Sequence, residues 1–282
     1  MTMRIAVVTS AEYEYDYTDI EIIVRAIEHK GHIAETVLWD APDVDWANFD
    51  TIFIDSTWDY TEKYDAFLAW CRHVSTISNL VNSLEIIELS SNKRYLLTLA
   101  AAGLRLPQTD ILAQSAPVDE AVLARYQGKI VIKPLVGSSG VGTVLFDNRE
   151  ALINADGFKV LHAKGDLLVQ EYMPEIKTLG EVSAIFIAGQ LSHCVLKKSA
   201  PGEFRVQCHY GGVTTLTSPP AYAENLYRQV TSALGVNPTY MRLDFIPADD
   251  PILMEVEMVE PDKFYTLYPE GADLLADALV GK

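Results

Sequence analysis

Three stretches of this 282-residue chain carry side chains that could do chemistry together. The first reads Val131-Ile132-Lys133-Pro134-Leu135-Val136-Gly137-Ser138-Ser139-Gly140-Val141-Gly142. An apolar strand ends in a lysine, and a small glycine-rich turn follows closely. Such a turn bares consecutive backbone N–H groups that cradle phosphate oxygens, and the lysine adds a mobile positive charge. Rival phosphate motifs fail on order. A P-loop needs Lys and then Ser or Thr after its last glycine, whereas Thr143 follows Gly142 directly. A protein kinase places its glycine loop before the lysine. Read alone, the stretch also fits a plain hairpin with a solvated lysine.

The second stretch is Arg242-Leu243-Asp244 and, after a turn containing Asp249-Asp250-Pro251, Glu255-Val256-Glu257. Strand side chains alternate faces, so Arg242 shares a face with Asp244, and Glu255 shares one with Glu257. If the two strands pair as a hairpin, three carboxylates and an arginine converge. Magnesium takes such hard oxygen ligands, bridging carboxylates to substrate phosphates. The competing reading is the polar, solvent-facing side of an antiparallel sheet. The third stretch, Leu167-Leu168-Val169-Gln170-Glu171-Tyr172-Met173-Pro174, runs an apolar strand into a segment that Pro174 removes from regular pairing. Free backbone groups there could hydrogen-bond a purine edge, although the same description suits any strand end. His193-Cys194 and Cys208-His209 lack the two-to-four spacing of zinc ligands, and strand neighbours point to opposite faces, so zinc is not expected.

The elements that must position these groups fall into two kinds. Up to about residue 90, strand and helix signals alternate: Arg4–Thr9, a helix over Ile20–His29 closed by Gly31, His32–Leu38, Thr51–Asp55, and a helix over Ala66–Val74. That alternation predicts an open parallel α/β sheet. The turn after the first strand, Glu12-Tyr13-Glu14-Tyr15-Asp16-Tyr17, has no glycine, which excludes a dinucleotide fingerprint. Ser90-Ser91 is expected to cap a helix over Lys93–Ala102 that Gly103 closes. Beyond it, strands at Ile130–Lys133, Thr143–Phe146, Leu167–Gln170, Val182–Ile187 and Ile252–Met258, with one helix near Ala221–Leu234, predict α+β. The expected division is therefore 1–90 and 91–282, the second part with a central lobe over about 105–170 and a C-terminal lobe over about 171–282. Ser56-Thr57-Trp58-Asp59-Tyr60 follows the strand at Ile52–Ile54, and crevices beyond strand C-termini bind ligands in open α/β sheets. Asp59 and Tyr60 are candidate substrate contacts on that ground, against a simple packing role.

Composition narrows the partners. Twenty-two Lys and Arg against 39 Asp and Glu give a net charge of −17, a field that repels nucleic acid and anionic membranes. No apolar run approaches a signal core or a spanning helix. Three cysteines without a close pair fit free thiols and a cytoplasmic location.

Taken together and in order, the pieces resemble the ATP-grasp superfamily over about residues 90–282. They are Asn92-Lys93-Arg94, Val131-Ile132-Lys133-Pro134 with its Gly-Ser-Ser-Gly turn, Gln170-Glu171-Tyr172-Met173, Arg242-Leu243-Asp244 and Glu255-Val256-Glu257. The first lobe resembles the α/β domain that usually precedes such a domain. The resemblance implies a ligase that uses ATP and Mg²⁺ (or Mn²⁺) to join a carboxylate to an amine or thiol through an acyl phosphate. By that resemblance Lys93, Lys133 and Gly137, Ser138, Ser139 and Gly140 hold ATP phosphates. Glu171, Tyr172 and Met173 line the adenine, and Glu181 reaches the ribose, with Glu175 competing. Asp244, Glu255 and Glu257 hold the metal. Family members commonly carry Asn where Glu257 stands, and Glu260 is a substitute ligand.

The stretch Lys197-Lys198-Ser199-Ala200-Pro201-Gly202-Glu203-Phe204-Arg205-Val206-Gln207, then Tyr210-Gly211-Gly212, is similar to a loop of the glutathione-synthetase and RimK-like branch. There Lys198 and Arg205 are expected to dock an anionic substrate, with Arg242 steadying the transferring group. The implied function is ligation of a small amino-acid-like carboxylate with an amine, releasing ADP and phosphate. Its partners are small molecules, with a homodimer allowed. Attack by an amine of the same molecule would make a cyclo-ligase, and ATP-grasp enzymes that close the cycloserine ring resemble this two-lobe layout. A non-catalytic ATP-binding module is the remaining alternative.

Overall fold

The computed structural model describes residues 1–11, 19–114 and 120–281. The glycine-free turn at 12–17 lies outside them. The first part contains β1 (Arg4–Thr9), α1 (Asp19–His29), β2 (Ile33–Leu38), β3 (Thr51–Ser56), α2 (Tyr64–Val74), β4 (Asn79–Val81) and α3 (Leu84–Ser90). The strands form one parallel sheet in the order β2-β1-β3-β4. Ile5 and Val7 of β1 pack beneath α1, while Ala6 and Val8 face α2 on the other side. A strand covered on both faces has no need of alternation, which is why β1 reads as a continuous apolar run.

Next come α4 (Tyr95–Ala101), β5 (Thr109–Leu112), α5 (Glu120–Leu123), β6 (Ile130–Pro134), β7 (Val144–Phe146), α6 (Arg149–Asn154), α7 (Asp156–Lys164) and β8 (Leu167–Glu171). Their four strands make an antiparallel sheet ordered β5-β8-β6-β7, its core built from Ile130, Ile132, Phe146, Phe158, Leu167 and Val169. The remainder contains α8 (Ile176–Leu179), β9 (Glu181–Ile187), β10 (Gln190–Lys198), β11 (Val213–Thr217), α9 (Ala223–Leu234), β12 (Tyr240–Ile246), β13 (Ile252–Glu257) and α10 (Glu270–Leu279). A second antiparallel sheet runs β11-β10-β9-β12-β13, with α4 and α9 packed on one face.

Two features depart from the sequence expectation. Ser90 and Ser91 do not start a helix: they end α3, and α4 begins only at Tyr95. Ser90 Oγ instead accepts from the Met258 N–H (3.1 Å), and the Ser91 hydroxyl pairs with Tyr64 (3.0 Å). Asn92 takes over the local cap, accepting from the Arg94 N–H at 3.1 Å. Second, α10 returns to the first part of the chain. Ala272, Leu275, Ala276 and Leu279 share a core with α1 and β1, and Lys30 pairs with Asp277 at 2.9 Å. No helix among the described residues is long and apolar enough to cross a membrane.

Candidate active site

A cleft of about 550 Å³ lies between the two antiparallel sheets and reaches Trp58, which follows β3. Lys93 precedes α4, and Lys133 sits near the end of β6. The turn after β6 supplies Gly137, Ser138, Ser139 and Gly140. Gly140 and Gly142 have φ of +70° and +71°, and Ser139 also sits at positive φ, +54°. A Cβ on Gly142 would lie 2.9 Å from Pro134 Cγ, so the turn both needs the left-handed conformation and leaves no room for a side chain.

Lys93 Nζ lies 2.8 Å from Glu255 Oε1 and donates to the Gly137 carbonyl at 2.6 Å. Lys133 has no ion pair or hydrogen bond for its ammonium among the described residues, and burial lowers its pKa. β12 and β13 pair in antiparallel register with Arg242 opposite Glu257 and Asp244 opposite Glu255, as the alternation argument required. Asp244 is saturated. It accepts from Arg242 Nε and Nη2 (both 3.0 Å) and from Ser183 Oγ (2.5 Å), and it faces Lys197 Nζ at 3.3 Å. Despite its burial, Arg242 and Lys197 hold its carboxyl down at about 2. Arg242 also donates to Glu257.

Burial and the neighbouring Glu255, Asp244 and Glu260 outweigh that bond and push Glu257 up to about 8. Glu260, 6 % exposed on the cleft wall, is pushed up to about 7, chiefly by burial. Among the described residues no three His, Cys, Asp or Glu side chains are grouped as a metal site, because the carboxylates hold cations instead. The donor chemistry nevertheless fits Mg²⁺. The oxygens are hard, and the crowding that lifts Glu257 is what a divalent cation would relieve. The unpaired Lys133 ammonium likewise fits a phosphate.

Several expectations need revision. Lys197 and Lys198 are strand neighbours, so only one can face inward. Lys197 does, buried and 2.6 Å from Glu181 Oε1, whereas Lys198 is exposed and off the cleft wall. Glu181 lines the cleft and Glu175 does not. Glu171, Tyr172 and Met173 are on the wall, yet the Glu171 and Tyr172 N–H groups are spent on the Gln108 and Lys129 carbonyls. Arg205 lines the cleft with its fork filled. Glu203 accepts from its Nε and Nη2 at 3.0 and 2.9 Å, and the guanidinium lies 3.5 Å above the Tyr210 ring. Asp59 is committed to Trp39 Nε1 (2.8 Å) and Lys63 (2.9 Å), and Tyr60 packs on Phe67. Neither reaches the cleft; their neighbour Trp58 does. His193 is held by the Lys263 carbonyl at 2.9 Å and stacks on Tyr268, which leaves it no metal role.

Lys197, Gln207 and the wall at Asp262, Phe264, Thr266 and Leu267 escaped the sequence-based site. For Lys197 the signal was present in strand alternation. For the wall there was none, since it is a loop brought in by packing.

The RimK-like ATP-grasp domain matches residues 90–262. The chain belongs to the RimK-like ATP-grasp family. Residues 5–82 match the N-terminal domain of D-cycloserine synthetase DcsG. The cycloserine biosynthesis protein DcsG of Streptomyces lavendulae is 28 % identical, over 98 % of this chain and 97 % of that protein. A crystal structure of D-cycloserine synthetase DcsG superposes with a TM-score of 0.88 at 25 % identity, covering 99 % of both chains. A probable alpha-L-glutamate ligase from Pseudoalteromonas atlantica is 29 % identical, over 62 % of this chain and 58 % of its own length. The D-alanine–D-alanine ligase of Bacillus anthracis, at 14 % identity and a TM-score of 0.74, shares the fold. ATP-grasp ligases couple ATP to joining a carboxylate and an amine, and this chain is an enzyme of that class.

Proposed function

We propose that the protein ligates the carboxyl group of a small amino-acid-like substrate to an amine, with ATP and Mg²⁺, releasing ADP and phosphate. The observation that carries this reading is the meeting of Lys93, Lys133 and the 137–142 turn with Arg242, Asp244, Glu255 and Glu257 around one cleft. Mg·ATP, when bound, supplies the phosphoryl group that activates the carboxylate. Lys133, lacking a protein partner, is left to pair with phosphate oxygens. Lys93 joins the turn to Glu255 and so orients the turn's N–H groups. Arg242, fixed by Asp244, presents its charge toward the transferring group, where fixed cations are most effective. Glu255 and Glu257 are the metal-facing carboxylates, while Asp244 acts by orienting Arg242 and Lys197. Glu181 stands at the ribose end, and Tyr172 and Met173 offer main-chain contacts to the base. Among the described residues the Tyr172 carbonyl and Met173 N–H have no main-chain partner.

We further propose a first lobe over 1–90 and an ATP-grasp part over 91–282, a division that the chain order of the three sheets supports. Full-length likeness to the DcsG proteins, including their N-terminal domain, favours ring closure within one molecule as the form the reaction takes. A panel of amino acids and their amine-bearing derivatives, assayed for ADP release, tests the reading. Acceptor-dependent ADP supports a ligase, a product lacking one water and no second substrate marks ring closure, and ATP binding without turnover would sink the proposal.

A further inference from the structure

We infer that the Glu260 carboxylate receives the ammonium or amine group of the substrate, an assignment that rests on the ligase reading above. Asp244, Glu181, Glu255 and Glu257 each hold a lysine or arginine. Glu260 is as buried as these groups and lines the same cleft, yet no other residue donates to its carboxylate among the described residues. A carboxylate taken from water without a donor is costly unless something arrives to satisfy it.

Its place indicates what arrives. Glu260 lies beyond the end of β13, on the side of the cleft that meets the first lobe. There the Trp58 indole donates to its main-chain carbonyl at 3.2 Å. Phosphate-binding groups lie across the cleft, on β6 and the 137–142 turn. A hydrated Mg²⁺ keeps several waters and wants open oxygen donors. The wall around Glu260 is instead formed by Trp58, Phe264 and Leu267. Aromatic and aliphatic surfaces flanking one carboxylate suit an organic cation, which buries its carbon against the rings and directs its N–H to the oxygens. An amine held there stands between the phosphate groups and the first lobe.

Thermal-shift and calorimetric titrations with alanine and with lactate, each as both enantiomers and in the presence of Mg·ADP, test the assignment. The two probes differ only in ammonium against hydroxyl. The wild type is expected to bind alanine better than lactate. Glu260→Gln should cut alanine affinity at least about tenfold, to the level of lactate, and leave Mg·ADP affinity and its Mg²⁺ midpoint unchanged. Glu260→Asp keeps the charge on a shorter arm. It should retain part of the preference, and it serves as the test should the glutamine variant fail to fold. Equal binding of alanine and lactate by the wild type, or a preference that survives the glutamine substitution, would overturn the assignment. So would a loss of Mg·ADP affinity in that variant, which would make Glu260 a metal ligand. Absence of Mg·ADP binding in the wild type would count against the ligase reading alone, because the alanine–lactate difference is measured separately.

Discussion

Lys133 and Glu255 carry the site's chemistry in opposite ways. Lys133 is a partly buried ammonium with no protein partner, so Lys133→Met should weaken nucleotide binding about 10- to 100-fold, the value of a charge-assisted hydrogen bond. Calorimetry with a non-hydrolysable ATP analogue measures this directly. Glu255 holds Lys93, which holds the Gly137 carbonyl, so Glu255→Gln loosens three groups at once. Turnover should fall at least about a hundredfold with the fold intact, and full activity of the wild type in excess EDTA would refute the metal role. Residue identities at this scale were legible because charge chemistry is written in side-chain types, and the Arg242–Asp244–Glu255–Glu257 set followed from alternation alone. Partnerships were not legible. That Glu203 fills the fork of Arg205 depends on loop geometry, and it removes the two-pronged carboxylate clamp that the sequence suggested.

Among the elements, the turn over 137–142 is the part built to respond to ligand. Its residues lie on the cleft, and one of its carbonyls is held by a lysine proposed to serve phosphate. Hydrogen exchange across 135–143 should slow when the ATP analogue and Mg²⁺ are added, and unchanged exchange would make the segment an ordinary hairpin. The parallel sheet, β6, β8 and the β12–β13 hairpin were legible from apolar runs and glycine punctuation. The start of α4 was misread because Ser90 and Ser91, good helix starters by type, are drawn off by Met258 and Tyr64 from distant segments. Helix α10 could not be assigned to a lobe from sequence, since its apolar stripe names no partner. Leu275, fully buried against α1 and β1, should cost about 2–5 kcal/mol when replaced by Ala, with nucleotide affinity retained. Urea unfolding and calorimetry on the same variant separate the two effects.

Across the whole molecule, the seam between the first lobe and the cleft wall is sensitive to pH in two opposed ways. His193, buried against the Lys263 carbonyl, is pushed down to about 4, mainly by desolvation. The unfolded chain therefore binds the extra proton between about pH 6.5 and 4, and stability falls as pH is lowered through that window. Asp19, buried where it accepts from the Tyr265 and Thr266 N–H groups, is pushed up to about 6. The folded chain holds that proton more tightly, so this group adds stability as pH falls from about 6 to 4. Each contribution is about 3 kcal/mol at most, and they cancel in large part. In urea unfolding from pH 4 to 7, His193→Gln should lose less stability on acidification than the wild type, and Asp19→Asn should lose more. The same seam bears on exchanging parts between related enzymes. The wall at 262–267 is clasped by Asp19 and anchored through Lys263 to Asp55 (2.9 Å), two carboxylates that belong to the first lobe. A chimera that grafts a foreign first lobe onto residues 91–281 would thus unmoor one wall of the cleft and strand a buried lysine. To transplant substrate preference, a designer must carry Asp19, Asp55 and the segment from Glu260 to Leu267 across together, as one inherited unit.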